Sequence, residues 1–195
     1  MTSRASKKKK MIMEAALKCI ITNGYRKLTL DDIAKEIGLS KTAVYYYFKS
    51  KEDIIFELTE EILLMFTKQQ KEVMEQKIPL VDRLLQLVDY RNEFTDSMLS
   101  QYTHMLDDMF EVIPILRKRI FEHTAMSIQL ISEQFELEYP DGNYPVSPVA
   151  FSAFFEFSHH IFHLKYFEEF ENTRIKCSQE DIVNEFKNII RKAMM

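Results

Sequence analysis

Apolar residues recur at intervals of three and four along most of the chain, and the strict alternation that marks half-buried strands is absent. From Lys7 to Asn23, Ile12, Ala15, Ala16, Cys19 and Ile20 share one helical face, and Gly24 follows as a stop. A second helix begins after Thr29, whose hydroxyl can cap the amides of "LDDIAKEIG", with Asp31 and Asp32 at the positive end of the helix. Gly38 ends it. Ser40 can cap a short third helix in which Val44 and Phe48 face inward. A long helix from Lys51 to about Gln76 carries Ile54, Leu58, Ile62, Met65 and Phe66. Further helices are expected over 80–96, 98–110, 113–137, 148–171 and 178–194, with Pro114 starting one and Ser178 and Asp181 forming a capping box on the last. "YPDGNYPVSP" is the clearest loop. The pattern predicts an all-α chain of about nine helices.

Two helices joined by a three-residue turn, with the small Ala34 at their crossing, make "IAKEIGLSKTAVYYYF" a helix-turn-helix pattern. With Val44 and Phe48 inward, Tyr46 points away from the core. Tyr45 flanks it on the side of Lys41 and Thr42, and Tyr47 on the side of Ala43. Such a face suits a DNA groove, because phenol rings can meet a thymine methyl or the sugar-phosphate chain while Lys41, Lys49 and Lys51 supply counter-charge. Charge distribution strengthens this picture. Residues 1–51 hold twelve Lys/Arg against four Asp/Glu, a balance of +8, whereas the rest of the chain stands at −12.

The segment Thr29 to Glu52, "TLDDIAKEIGLSKTAVYYYFKSKE", resembles the signature of the tetracycline-repressor-like (TetR/AcrR) regulators, T-x-x-x-I-A-x-x-x-G-[VL]-S-x-x-x-[LV]-Y-x-x-F-x-[SN]-K-E, with its spacing intact. The likeness covers roughly residues 7–60. Thr42 stands where glycine is common in the family, and Tyr47 where histidine is. The resemblance implies a three-helix DNA-binding domain in residues 1–51 and a helical effector-binding and dimerisation domain in residues 52–195. It further implies DNA contacts from Thr29, Ser40, Lys41, Thr42, Ala43, Tyr45, Tyr46, Tyr47 and Lys51. The family's helix beginning at Lys51 transmits the effector domain's state to the recognition helices. Its last two helices pair across a twofold axis as a four-helix bundle.

The stretch 94–126 is rich in soft and aromatic side chains, and Phe94, Met98, Tyr102, Met105, Met109, Phe110, Phe121 and Met126 are candidates to line an apolar effector pocket, although residues so spaced also form ordinary core. No Lys or Arg stands between Phe94 and Phe110, which favours an apolar or aromatic effector over an anion. The segment 148–171 holds seven of the fifteen phenylalanines on more than one face, so part of it is expected to pack on a second subunit. Phe151, Phe154, Phe155 and Phe162, with Ile182, Phe186 and Ile189 of the last helix, are the candidate dimer interface.

His159 and His163 lie one turn apart without a completing carboxylate or cysteine, so no metal site is assigned. Nor does any cofactor or catalytic motif emerge. Cys19 and Cys177 form no disulfide or zinc spacing, and no apolar run suits a signal peptide or membrane span, so a cytoplasmic protein is expected. The reading is a ligand-responsive regulator: a repressor that binds a palindromic double-stranded operator as a homodimer and is released by a small apolar or aromatic effector. Two alternatives stand beside it, an effector-free architectural DNA-binding protein of the same fold and a helical enzyme.

Overall fold

The computed structural model describes residues 4–101, 105–162 and 178–195, and every regular element among them is helical. Eight helices follow in chain order: α1 (Arg4–Asn23), α2 (Leu30–Glu36), α3 (Lys41–Tyr47), α4 (Lys51–Met74), α5 (Leu80–Gln101), α6 (Met105–Glu138), α7 (Pro148–Phe162) and α8 (Gln179–Ala193). The all-α expectation holds, with eight helices among the described residues against about nine anticipated.

Two boundaries differ from the sequence reading. Residues 98–101 continue α5 instead of opening a helix of their own, and Pro114 lies inside α6 instead of starting a helix. A proline forfeits one backbone hydrogen bond and crowds the carbonyl four residues earlier. Pro114 is exposed, whereas Val112 before it packs on a core cluster and Leu116 after it is buried. Packing on both sides of the proline overrides its local preference.

The chain divides into two compact units, Met1–Met65 with Met98–Arg119, and Phe66–Ser97 with Ile120–Met195. In the first, α1, α2, α3 and the start of α4 enclose a core of Ile12, Ala16, Ile20, Leu30, Ile33, Val44, Phe48, Ile54 and Leu58. Ile12, Ala16, Ile20, Val44, Phe48, Ile54 and Leu58 are positions that the periodicity picks out, Leu30 and Ile33 are not, and Met65, on the expected apolar stripe of α4, is exposed. In the second, a core of Val73, Leu80, Leu84, Leu87, Ile131, Phe135, Phe151, Phe155, Phe186 and Ile190 joins α4, α5, α6, α7 and α8. Buried Arg83 braces it, donating from Nη1 to the Met74 carbonyl (2.8 Å) and to Gln134 Oε1 (2.7 Å) and from Nη2 to Glu138 Oε2 (2.8 Å). The expected capping box is present on α8: Ser178 Oγ accepts from the Asp181 amide at 3.1 Å, and Asp181 Oδ2 accepts from the Ser178 amide at 2.8 Å.

Candidate nucleic-acid interface

Local chemistry sets the geometry of α2, the turn and α3. Thr29 caps α2, its hydroxyl oxygen accepting from the Asp32 amide at 3.1 Å. Gly38 takes φ +65°, a left-handed conformation that side chains with a Cβ disfavour. An added Cβ there would meet nothing within 4 Å, so backbone conformation and not crowding is what asks for glycine. Ser40 then caps α3 by accepting from the Ala43 amide at 3.2 Å. The next junction is capped as well: Asp53 Oδ2 accepts from the amides of Lys49 (2.9 Å) and Ser50 (3.2 Å), and Ser50 Oγ accepts from the Asp53 amide at 3.1 Å. Helix α3 is thus held at both ends without using its outer face.

That face is where the tyrosines stand. Val44 and Phe48 are buried, whereas Tyr46 is 76% exposed and Tyr45 is 38% exposed. Tyr47 is half-buried, and its ring meets that of Tyr46 edge-on at 5.1 Å. Lys41 and Thr42 are exposed, and Ala43 is half-buried. The Lys41 ammonium lies 2.8 Å from Asp31 Oδ2 and 5.5 Å from the centre of the Tyr45 ring. The Asp31 hydrogen bond and charge raise the pKa of Lys41, so it stays a cation. Lys49 Nζ donates to the Tyr45 carbonyl at 2.9 Å. Phenol hydroxyls, ring faces and ammonium groups therefore share one exposed arc.

Lys51 is placed differently from an open phosphate ligand. Its ammonium donates to the carbonyls of Tyr25 (3.2 Å) and Arg26 (3.3 Å) and lies 4.4 Å from the centre of the Tyr25 ring. The same turn is gripped through its amides by Asp108, a buried residue at the start of α6, which accepts from the amide of Tyr25 and, at 3.4 Å, from that of Arg26. Arg26 also pairs with Glu111 at 2.7 Å. Tyr25 Oη donates to Glu52 Oε1 at 3.2 Å; burial first, and the charge of Glu52 second, hold this phenol well above the ordinary tyrosine range. Sequence reasoning missed this clasp because Tyr25 and Asp108 are 83 residues apart and no periodicity joins them.

In the second unit, Phe94 is half-buried and stacks edge-on with Phe66 at 4.3 Å, while Tyr90 approaches Phe66 at 6.1 Å. Phe121 and Met126, also proposed as pocket lining, are 60% and 48% exposed. Tyr102 lies outside the described residues, as do the side chains of Met98, Met105, Met109, Phe110 and Phe162. Of the candidate interface residues, Phe151, Phe155 and Phe186 are buried within their own unit. Phe154 and Ile189 are exposed and Ile182 is half-buried, and Val149 and Phe157 add exposed apolar surface on α7.

A buried polar cluster that the sequence reading did not mark lies in the same unit. Arg91 Nη2 donates to Glu156 Oε1 at 2.6 Å, and Ser127 Oγ lies 2.6 Å from that oxygen and 2.8 Å from Gln70 Oε1. Arg91 precedes by three residues the stretch that sequence inspection found free of lysine and arginine. His159 is outside the side chains described and His163 outside the described residues; among the described residues no three His, Cys, Asp or Glu side chains group to hold a metal. No helix among the described residues is long and apolar enough to cross a membrane.

Comparison with known proteins agrees with this geometry. The sequence model of "Bacterial regulatory proteins, tetR family" matches residues 12–58, from the first buried position of α1 to Leu58 of α4. The chain is similar to the fatty acid metabolism regulator protein of Bacillus subtilis, with 34% identity over 73 residues, 37% of this chain and 38% of that protein. It thus spans less than two fifths of the length of that curated relative. Whole-chain likeness is structural. A TetR/AcrR-family transcriptional regulator from Thermobifida fusca superposes with a TM-score of 0.67 at 22% identity, covering 94% of this chain and 96% of the other. The transcriptional regulator FadR of Bacillus subtilis, solved with stearoyl-CoA, gives 0.66 at 18% identity over 95% and 99%. At such identities the superpositions establish the fold alone. The matched proteins are regulators, not enzymes. Residues 12–58 thus carry the sequence signature of the tetR family of bacterial regulatory proteins, and the helical fold of the whole chain is the one that TetR/AcrR-family regulators share.

Proposed function

We propose that this protein is a ligand-responsive transcriptional regulator, a repressor that binds a pseudo-palindromic DNA operator as a homodimer. The observation that carries the reading is the outer face of α3, where Tyr46 is 76% exposed beside Tyr45, Lys41 and Thr42 while both helix ends are capped from within. A large exposed aromatic on a basic, solvent-facing helix makes contacts to base edges and phosphates and contributes nothing to the core behind it. The reading assigns DNA contact to residues 1–51 and sensing and dimerisation to residues 52–195, with the protein acting in the cytoplasm beside its DNA.

Dimerisation is supported by the apolar face of Val149, Phe154, Phe157 and Ile189, which one copy leaves in water, and by the need for paired half-sites in helix-turn-helix recognition. Effector response is supported by the half-buried aromatic group of Phe66, Tyr90 and Phe94 and by the long-chain acyl ligand of a structural neighbour. Helix α4 has residues in both units, so the proposed coupling runs along one continuous element. By linkage, an effector that weakens operator binding must itself bind less tightly, by the same factor, when operator is present.

The test is selection of genomic fragments by the purified protein, followed by titration of the recovered site. Tyr46→Ala should lower affinity by about tenfold, the equivalent of ~1.4 kcal/mol, with unchanged thermal stability. Unchanged affinity on the selected site would remove α3 as the reading surface.

A further inference from the structure

The buried cluster of the second unit draws one side chain from each of four helices: Gln70 of α4, Arg91 of α5, Ser127 of α6 and Glu156 of α7. Arg91 and Glu156 each have side chains only 7% exposed. Their pairing is one-sided. Nη2 of Arg91 serves Glu156 at 2.6 Å and reaches Ser127 Oγ at 3.4 Å, while Nη1 is buried and has no hydrogen-bond partner among the described residues. A guanidinium normally meets a carboxylate with two parallel N–H groups. Here the second donor has been left over, in a site where an unmet donor is costly.

Aromatic surface lies one helical turn away on two of the same helices. Phe66 is four residues before Gln70 on α4, and Phe94 is three after Arg91 on α5. Phe66, Tyr90 and Phe94 touch one another and are all partly exposed, so they are open on one side where Arg91 is closed. A ligand whose apolar part lies on these rings would bring its polar end toward Arg91.

Charge decides what that end can be. Arg91 and Glu156 already neutralise each other, so a carboxylate would bring an uncompensated negative charge beside Glu156, and an ammonium would bring a positive one beside Arg91. An uncharged acceptor adds no charge and satisfies the donor. We infer that Arg91 Nη1 anchors the effector through a neutral hydrogen-bond acceptor, a carbonyl of amide or ester type at the head of an apolar chain, and that Glu156 sets this preference by excluding carboxylates. This rests on the sensor reading above and gives it a chemical class.

The experiment uses the full chain and three probes of equal length, octanamide, octanoate and octylammonium, with affinity measured by calorimetry and release of labelled operator measured alongside. Octanamide should bind the parent protein at least about tenfold more tightly than either charged probe. In Glu156→Gln, where Arg91 keeps its charge and residue 156 still offers an acceptor, the order should reverse, with octanoate now preferred by about tenfold or more. Should that variant fold poorly, Arg91→Met combined with Glu156→Gln removes donor and charge together, and the preference should vanish.

A folded Glu156→Gln that keeps the parent's order overturns the inference. So does a parent that binds all three probes alike with no change in the double variant, the result expected if Nη1 serves only a water. Probes that bind and release operator without regard to head group leave the sensor reading standing and the anchor refuted. If no probe binds while operator binding is intact, the sensor reading fails and the anchor falls with it.

Discussion

Replacing Asp108 with alanine should loosen the helix-turn-helix unit from a distance of 83 residues in sequence. The Asp108 carboxylate is 7% exposed and accepts from the amide of Tyr25, which is itself 3% exposed. The companion bond to the Arg26 amide is 3.4 Å and contributes little. A hydrogen bond to a charged acceptor is worth about 1.5–3 kcal/mol, and its removal here also strands a buried N–H. The Arg26–Glu111 pair, with side chains 71% and 40% exposed, adds at most ~1 kcal/mol and cannot substitute. The expected cost of Asp108→Ala is therefore about 2–3 kcal/mol of local stability, with Asp108→Asn, which keeps an acceptor, losing about half of that. Amide hydrogen exchange is the suitable assay, because a chain of two units need not unfold in one step. Protection at Tyr25 should fall by about 30- to 140-fold while that of Ile190 in the second unit stays within about threefold. Equal protection at Tyr25 in parent and variant would refute the claim that Asp108 holds this turn.

Arg91→Met alone should cost about 3–5 kcal/mol in chemical denaturation by leaving Glu156 buried and unpaired, whereas Arg91→Met with Glu156→Gln should stay within about 1–2 kcal/mol of the parent. Phe154→Glu with Ile189→Glu should convert the proposed homodimer to monomer in light scattering at micromolar concentration; a parent that is already monomeric would refute the dimer, and a dimeric variant would place the interface elsewhere. Because the folded protein holds the Tyr25 phenol above its ordinary value of 10.0, the unfolded chain ionises first as pH rises. The contribution of Tyr25 is therefore complete below about pH 10 and is lost above it, so denaturation midpoints should fall more steeply there in the parent than in Tyr25→Phe.

The parts of the fold legible in the sequence are those set by neighbours within a turn. Thr29, Ser40 and the Ser178–Asp181 box act on amides three residues away, Gly38 on its own φ, and Val44 and Phe48 on a face given by helical period. Tyr46 follows from them by elimination. Pro114 misled because local preference was outweighed by the burial of Leu116 and by Val112, which packs on a core cluster remote in sequence. Lys51 read as a phosphate ligand from its place in the motif, and its bonds to the Tyr25 and Arg26 carbonyls depend on a turn 25 residues earlier. Arg91 and Glu156 are 65 residues apart, and neither has a sequence context that marks it. On α7 the periodicity showed too many apolar faces, but only packing could tell that Phe151 and Phe155 point inward and Phe154 outward.

The basic head is less basic at the surface than its composition suggests. Lys9 is bound to Glu57 at 2.6 Å, Lys18 to Glu36 at 2.5 Å, Arg26 to Glu111 at 2.7 Å and Lys41 to Asp31 at 2.8 Å, and the Lys51 ammonium is turned to carbonyls. A phosphate that recruits Lys41 must take it from Asp31, so the gain is the difference between two ion pairs and not the formation of one. Added salt weakens both sides of that exchange. Counterion release on DNA binding should then follow the few groups that change partners, and the logarithm of affinity should fall with the logarithm of salt more gently than twelve lysines and arginines would dictate. A protein arranged this way draws less of its hold on DNA from bulk charge, and leaves more of it to shape and to uncharged contacts.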